Sequence, residues 1–148
     1  MILEETNVFT QEEIKVAIEV MDVFLEDKNQ HDYNIYTAVS HTEEIAGFVC
    51  VGPTPLTEGT FDLYWVAVKP SLHNQGVGKQ LLRHAEEIVA SQQGRLVLAE
   101  TSSQPKYSGT RMFYVRSGYS ELARVKDYYR VNDDLVVYGK YLKLTGDT

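Results

Sequence analysis

The segment SLHNQGVGKQLL, residues 71–82, places two glycines one residue apart, Gly76 and Gly78, between a polar turn and an amphipathic run. Glycine costs a helix about 1 kcal/mol relative to alanine, so two of them at a helix start need a reason. The pattern offers an anion. Helix N-termini present unpaired N–H groups and the positive end of the dipole, and bare backbone lets phosphate oxygens reach them. The charge distribution agrees: Leu63 to Ala85 contains no Asp or Glu but holds Lys69, Lys79 and Arg83, a positive island in a chain of net charge -7. Two familiar phosphate turns fit badly. A dinucleotide-binding turn wants G-x-G-x-x-G directly after a strand, whereas here the third glycine position is Leu81 and KPSLHNQ lengthens the approach. A P-loop wants G-K-[ST], and GKQ supplies no hydroxyl for magnesium.

The elements that must hold this turn are legible from periodicity. Thr10 with Glu13 forms a capping-box pattern, and apolar residues at helical spacing predict a helix over 11–26. NIYTAVS and EIAGFVCVG read as a hairpin through HTEE, and TFDLYWVAVKP as the strongest strand, ended by Pro70. A second helix starts at Gly76 and fades near SQQG, and RLVLAET is a short buried strand. TRMFYVRS is helical and stops at Gly118, a residue suited to a left-handed cap. Strands over 119–126 and 134–143 flank the loop DYYRVNDD. Helix, three strands, helix, strand, helix, two strands is an α/β order, one sheet with helices on both faces.

Length and composition set the outer bounds. At 148 residues, 43% hydrophobic and 24% charged, the chain reads as one globular domain over 1–148, with the cytoplasm as its default compartment. The acidic start, MILEETNVFTQEE, does not resemble a leader peptide. The lone Cys50 excludes an intrachain disulfide and reads as a buried small hydrophobe. No His and acid set has metal spacing, so no metal is expected, and the acidic balance argues against nucleic-acid and membrane partners. A homodimer is left open.

One family unites these pieces. VAVKPSLHNQGVGKQLL closely resembles the coenzyme-A signature of the GNAT acetyltransferase superfamily, in which a strand and V-x-P lead to Q/R-x-x-G-x-G/A and an amphipathic helix. TRMFYVRSGY, some thirty residues on, resembles the superfamily's A-x-x-h-Y-x-x-x-G-[FY] helix. LAETSS and ARVKDYYRVNDDLVVYGKYLK are similar to stretches of its bacterial branches, so the resemblance spans residues 34 to 143. It departs at His73, where Gln or Arg is usual, at Asn74, where glycine is frequent, and at Thr110, where a small residue is usual. The resemblance implies the GNAT fold, a single mixed and mostly antiparallel sheet, and acetyl-CoA as co-substrate without a metal. It implies that the backbone of Val66, Ala67 and Val68 meets the pantetheine arm. The pyrophosphate would sit on His73, Asn74, Gln75, Gly76, Val77, Gly78 and Lys79.

The chemistry implied is N-acetyl transfer by direct attack of an amine on the thioester. An alkylamine with a pKa of about 10.4 is neutral in roughly one molecule in 2,500 at pH 7, a deficit of about 4.6 kcal/mol that a base and a less polar site must offset. Glu100, ending an apolar strand, and Asp62, six residues before Val68 at the place where the resemblance to histone-type members of the superfamily implies a base, are the two candidates; each reads equally as a solvated strand residue. Tyr114 matches the family's helix tyrosine, which hydrogen-bonds and protonates the departing sulfur. Because Phe113 and Tyr114 are adjacent on a helix, Phe113 is expected to pack in the core and Tyr114 to face the cleft. His31, His41 and His84 read as surface or packing groups, and Tyr128 and Tyr129 as either an acceptor wall or a plain hairpin loop. The acid content suits a small cationic amine or lysine-like acceptor. The rivals are protein N-terminal or lysine acetylation, and a non-catalytic acyl-CoA-binding regulatory module.

Overall fold

The structure, a computed structural model, describes residues 32–143 together with Lys15, Glu19, Met21, Asp22 and Leu25. Those five isolated residues are all helical. The remainder of the expected helix 11–26, its Thr10–Glu13 cap and His31 lie outside the described residues. The continuous part runs β1 (Asn34–Val39), β2 (Ile45–Pro53), β3 (Thr60–Val68), α1 (Val77–Ser91), β4 (Leu96–Ser102), α2 (Ser108–Arg116), β5 (Ser120–Arg130) and β6 (Asp133–Tyr141). Short 3-10 turns at Pro70–Leu72 and Pro105–Tyr107 lead into the two helices.

All six strands form one sheet in the order β1-β2-β3-β4-β6-β5, and only β3 with β4 is parallel. A parallel neighbour cannot be reached by a hairpin, so α1 carries the chain across one face between them. Its Leu81, Leu82, Ala85 and Val89, spaced for one helical face, are buried against Val49, Val51, Phe61, Leu63, Val97 and Ala99. Each such aliphatic side chain stabilises the fold by about 1.5–3 kcal/mol. On the opposite face Phe48 and Ala67 pack with Trp65, Ile35 and the helical residue Met21. Since β2 is covered on both faces, it reads as an unbroken apolar run, IAGFVCVG.

Two features of the sheet matter for function. The β3–β4 pairing lasts only from Thr60↔Leu96 to Leu63↔Ala99. Where it ends, Cys50 faces Trp65 and Val51 faces Leu63, leaving Tyr64 as an extra residue in β3. Such a bulge bends its strand, and here it coincides with the place where β3 leaves β4. The second feature corrects the sequence expectation for 127–134. β5 continues through Tyr128 and Tyr129 to Arg130, but its register jumps from Val125↔Leu135 to Arg130↔Asp133. Asp127 adopts φ 53, donates its N–H to Asp134 Oδ1, and accepts the Asn132 N–H on Oδ1. A side-chain-stitched bulge replaces the open loop, because Asp can satisfy backbone donors that a regular ladder would otherwise fill.

Candidate active site

A cleft of ≈ 410 Å³ opens where β3 and β4 separate. β3 contributes Asp62, Tyr64, Trp65 and Val66 to its walls, β4 contributes Leu98, Glu100 and Ser102, and α2 contributes Thr110 and Tyr114. Lys106 and Tyr107 of the turn before α2, with Tyr129, Arg130 and Asp133 of the last hairpin, complete its outer end. Asp62 pairs with Leu98, and Glu100 lies two residues further along β4, so both carboxylates share a face of the sheet. Strand geometry puts their backbones roughly 8 Å apart.

Tyr114 is in the cleft wall and also in the core. Only 6% exposed, it stacks on Tyr138 at 5.9 Å between ring centres and meets Tyr119 at 5.7 Å. The division of labour on α2 differs from expectation in one respect: Tyr114 reaches the cleft, but it is also the more deeply buried of the pair. Phe113 is the partly buried neighbour, and its ring covers Gly78, where a Cβ would come within 3.2 Å. The aromatic cluster from β6 and the segment after α2 draws Tyr114 inward, which residue polarity alone does not reveal. Burial raises the Tyr114 phenol above its ordinary value.

The glycine turn divides its two glycines by task. Gly76 caps α1 at φ 83, and a Cβ there would meet nothing within 4 Å. Its left-handed backbone and open foreground fit an approaching ligand. At Gly78 the space is instead closely filled, since Phe113 and Val68 atoms would stand 3.2 to 3.4 Å from a Cβ there. Asn74 has φ 62; asparagine is one of the few side chains that enters this region readily, so it can stand where glycine is frequent. No acid lies in the first turn of α1.

Backbone direction at the end of β3 is set by the Lys69 N–H, which donates to Ala46 O at 2.8 Å. Antiparallel alternation then makes Phe48↔Ala67 a hydrogen-bonded pair and turns the backbone groups of Val66 and Val68 away from β2, toward the gap. Ala67, expected to offer its backbone with its neighbours, spends it on the ladder. His73 lies across this edge, its Nε2 2.8 Å from Val68 O.

A second groove of ≈ 370 Å³ runs along α1. Lys79, Arg83, Arg116 and Lys143 line it, none in an ion pair among the described residues. Lys140, also there, is held by Glu86 at 2.6 Å. The i,i+4 spacing of Lys79 and Arg83 in an acid-free stretch signalled half of this groove; Arg116 and Lys143 carry no local sign. Sequence reasoning also missed Lys106, Arg130, Ser102 and Asp133. Ser102 Oγ donates to the buried Asp133 carboxylate and accepts the Gln104 N–H, while Arg111 donates to the carbonyls of Ser102 and Gln104, each at 2.8 Å. These bonds tie the end of β4 to β6 and α2. Tyr129 lines the cleft, whereas Tyr128 is 57% exposed beside it. His41 is exposed, and His84 stacks edge-on with Tyr36 at 4.9 Å. No group of three metal-ligating side chains exists among the described residues, and none of the described helices is long and apolar enough to cross a membrane.

Residues 31–121 match the model of the acetyltransferase (GNAT) domain. Among solved structures, a chain from Desulfovibrio desulfuricans assigned to the GNAT acetyltransferases is 42% identical, with 95% of this chain and 87% of that one covered at a TM-score of 0.88. An aminoglycoside 6'-N-acetyltransferase complexed with coenzyme A aligns over 87% of this chain and 81% of its own at 19% identity and a TM-score of 0.70. The ribosomal-protein-S18-alanine N-acetyltransferase from Escherichia coli aligns over 86% and 79% at 17% identity and a TM-score of 0.66. No curated protein sequence matches the chain. The protein belongs to the GNAT acetyltransferase family.

Proposed function

We propose that this acetyltransferase moves the acetyl group of acetyl-CoA to a small cationic amine by direct attack on the thioester. The observation that carries the reading is the parted β3–β4 pair. It brings Tyr114 and Val66 to the α1 side of one cleft and Asp62 with Glu100 to its other side. On the α1 side, the Gly76 turn and the N–H groups of residues 74–79 receive the pyrophosphate, with the unpaired cations of the α1 groove near the phosphorylated end. A strand edge that turns the backbone groups of Val66 and the N–H of Val68 outward suits the extended pantetheine arm, with Val68 O already met by His73.

On the other side, the acceptor arrives as an ammonium and is held between carboxylates. Glu100 or Asp62 takes its proton, directly or through a water. The freed nitrogen lone pair attacks the carbonyl carbon, and the C–S bond breaks as the C–N bond is retained. The second proton leaving the nitrogen passes through solvent to the thiolate. Tyr114 faces the departing sulfur. An ordinary phenol is about 1.5 pKa units weaker an acid than a thiol, about 2 kcal/mol, so giving its proton to a thiolate is already uphill. Burial of Tyr114 adds to that difference. Its role is therefore to donate a hydrogen bond to the thiolate, with complete transfer of the proton the lesser part. Cys50 is buried in β2 and its thiol is pushed up to about 12 by burial, which fits direct transfer without an acetyl-cysteine step.

An amine panel with acetyl-CoA and free-thiol detection tests the reading. Release with small amines supports it. Activity only on peptide N-termini or protein lysines moves the acceptor to a macromolecule. Tight acetyl-CoA binding without release on any amine makes the chain an acyl-CoA-binding module.

A further inference from the structure

The acceptor side of the cleft holds two kinds of charge in different places. Asp62 and Glu100 lie beside the β3–β4 gap, while Lys106, Arg130 and one carboxylate, Asp133, line the outer end, which is cationic in balance. Lys106 has no carboxylate partner among the described residues; its Nζ lies 5.1 Å from the Tyr107 ring centre. Arg130 is loosely held, with Nε 3.6 Å from Asp133 Oδ2 and its side chain 69% exposed. Asp133 is meanwhile occupied by the Ser102 hydroxyl. Both cations thus keep N–H donors for something else that enters the same cleft.

We propose that the acceptor is bifunctional, an amine that also carries a carboxylate, with the amine at Asp62 and Glu100 and the carboxylate at Lys106 and Arg130. The inference rests on the amine-acetylation reading and adds the second group of the substrate. Two cations on a plain ammonium acceptor's path would repel it, and a carboxylate reverses that sign. Register gives a length. Ser102 pairs with Leu135, so Asp133 lies opposite residue 104, and Arg130 faces Asp133 one strand further out. Four residues along and two strands across separate the Glu100 and Arg130 backbones by roughly 16 Å. Side chains on one face of a sheet stand roughly parallel to one another, so their charged tips stay on that scale, and a hydrogen bond at each end takes up about 6 Å of it. An acceptor of lysine length spans the remainder; one of glycine length does not.

Steady-state kinetics with three matched pairs test this: 6-aminohexanoate against hexylamine, lysine against cadaverine, and glycine against methylamine. The carboxylated member of both long pairs should have a kcat/KM about 10- to 100-fold higher, the scale of a charge-assisted hydrogen bond, with no such advantage for glycine. Arg130→Gln and Lys106→Gln should each shrink the ratio, and together bring it near one, while thermal unfolding stays at the wild-type temperature. Equal values within each long pair, or a ratio that survives both substitutions, overturns the proposal and leaves amine acetylation standing. Thiol release with no member of the panel, while acetyl-CoA still binds, overturns the amine reading beneath it.

Discussion

The two sides of the cleft are made from different material. Toward α1, the surface on offer is mostly backbone: a left-handed glycine, a helix start and the turned-out edge of β3. Toward the last hairpin it is mostly side chains, from Asp62 and Glu100 to Tyr129, Lys106 and Arg130. Backbone recognition needs particular residues at fixed spacing, because few residues adopt the required conformations. Side-chain recognition needs only a wall, and any polar residue can occupy it. The difference ties the α1 side to fixed residue spacing and leaves the other side to side-chain identity. It also means that substitutions on the two sides should fail in different kinetic terms.

The largest expected loss is on the side-chain wall. Glu100→Gln and Asp62→Asn keep shape and remove charge. The variant lacking the true base should lose about 10²–10⁴-fold in turnover and flatten the acidic limb of its pH–rate profile, with acetyl-CoA affinity by calorimetry near wild type. If both variants and their combination turn over normally, the amine loses its proton elsewhere, and this wall only positions it.

Next comes the backbone side. Gly76→Asp sets a carboxylate in the open space before α1 and forces a side chain onto φ 83. One like-charge contact of about 5 Å at an effective dielectric near 20 costs roughly 3 kcal/mol, or about two decades of acetyl-CoA affinity. Circular dichroism should remain native. Tight binding by this folded variant would remove the turn from the site.

How much of this was legible follows the same divide. The sheet, both helices, the Gly118 cap and the turn at Gly76 all announced themselves through periodicity and backbone chemistry. Asp62, Glu100 and Tyr114 were legible as candidates only because a known pattern pointed to them, and the structure brings all three to one cleft. What stayed hidden depends on tertiary contact. Nothing local says that Tyr114 rather than Phe113 enters the aromatic cluster with Tyr119 and Tyr138. Nor does DYYRVNDD show that Asp127 would stitch a bulge and leave Arg130 in the cleft wall. Lys106 lies in a turn whose sequence, QPKY, predicts only a turn.

Tyr114 belongs to both sides, and its variant sharpens the comparison with a smaller effect. Tyr114→Phe keeps the ring among Tyr119 and Tyr138 and removes the hydroxyl. If the hydroxyl supports the departing sulfur by hydrogen bonding, kcat and kcat/KM should fall together by about tenfold, the scale of one such bond. Acetyl-CoA affinity should hardly change. A fall confined to KM would make the hydroxyl a binding group, and unchanged kinetics would exclude it from the reaction. Because burial raises its pKa, the phenol stays protonated in the folded state well above pH 10. Its contribution to stability is fully present below the ordinary tyrosine value and is lost progressively as pH rises from there through the raised value. An ultraviolet titration should therefore show at least one of the ten tyrosines of the chain ionising after the others.

The smallest effect is expected at Gly78, and it separates the two glycines most cleanly. Alanine here gains about 1 kcal/mol of helix propensity, but its Cβ would lie 3.2 Å and 3.4 Å from two atoms of the Phe113 ring and 3.4 Å from Val68 Cγ2. The Phe113 ring is only partly buried, so it can tilt by the few tenths of an ångström required. Gain and strain should nearly cancel, leaving the unfolding midpoint within a few degrees and acetyl-CoA affinity close to wild type. Gly76→Ala reverses the balance: no atom stands in its way, yet a φ of 83 strains any side chain, at roughly 1–2 kcal/mol. Calorimetry on the pair reads the contrast directly. Weakened cofactor binding by Gly78→Ala with none by Gly76→Ala would mean that the second glycine, not the first, meets the phosphates.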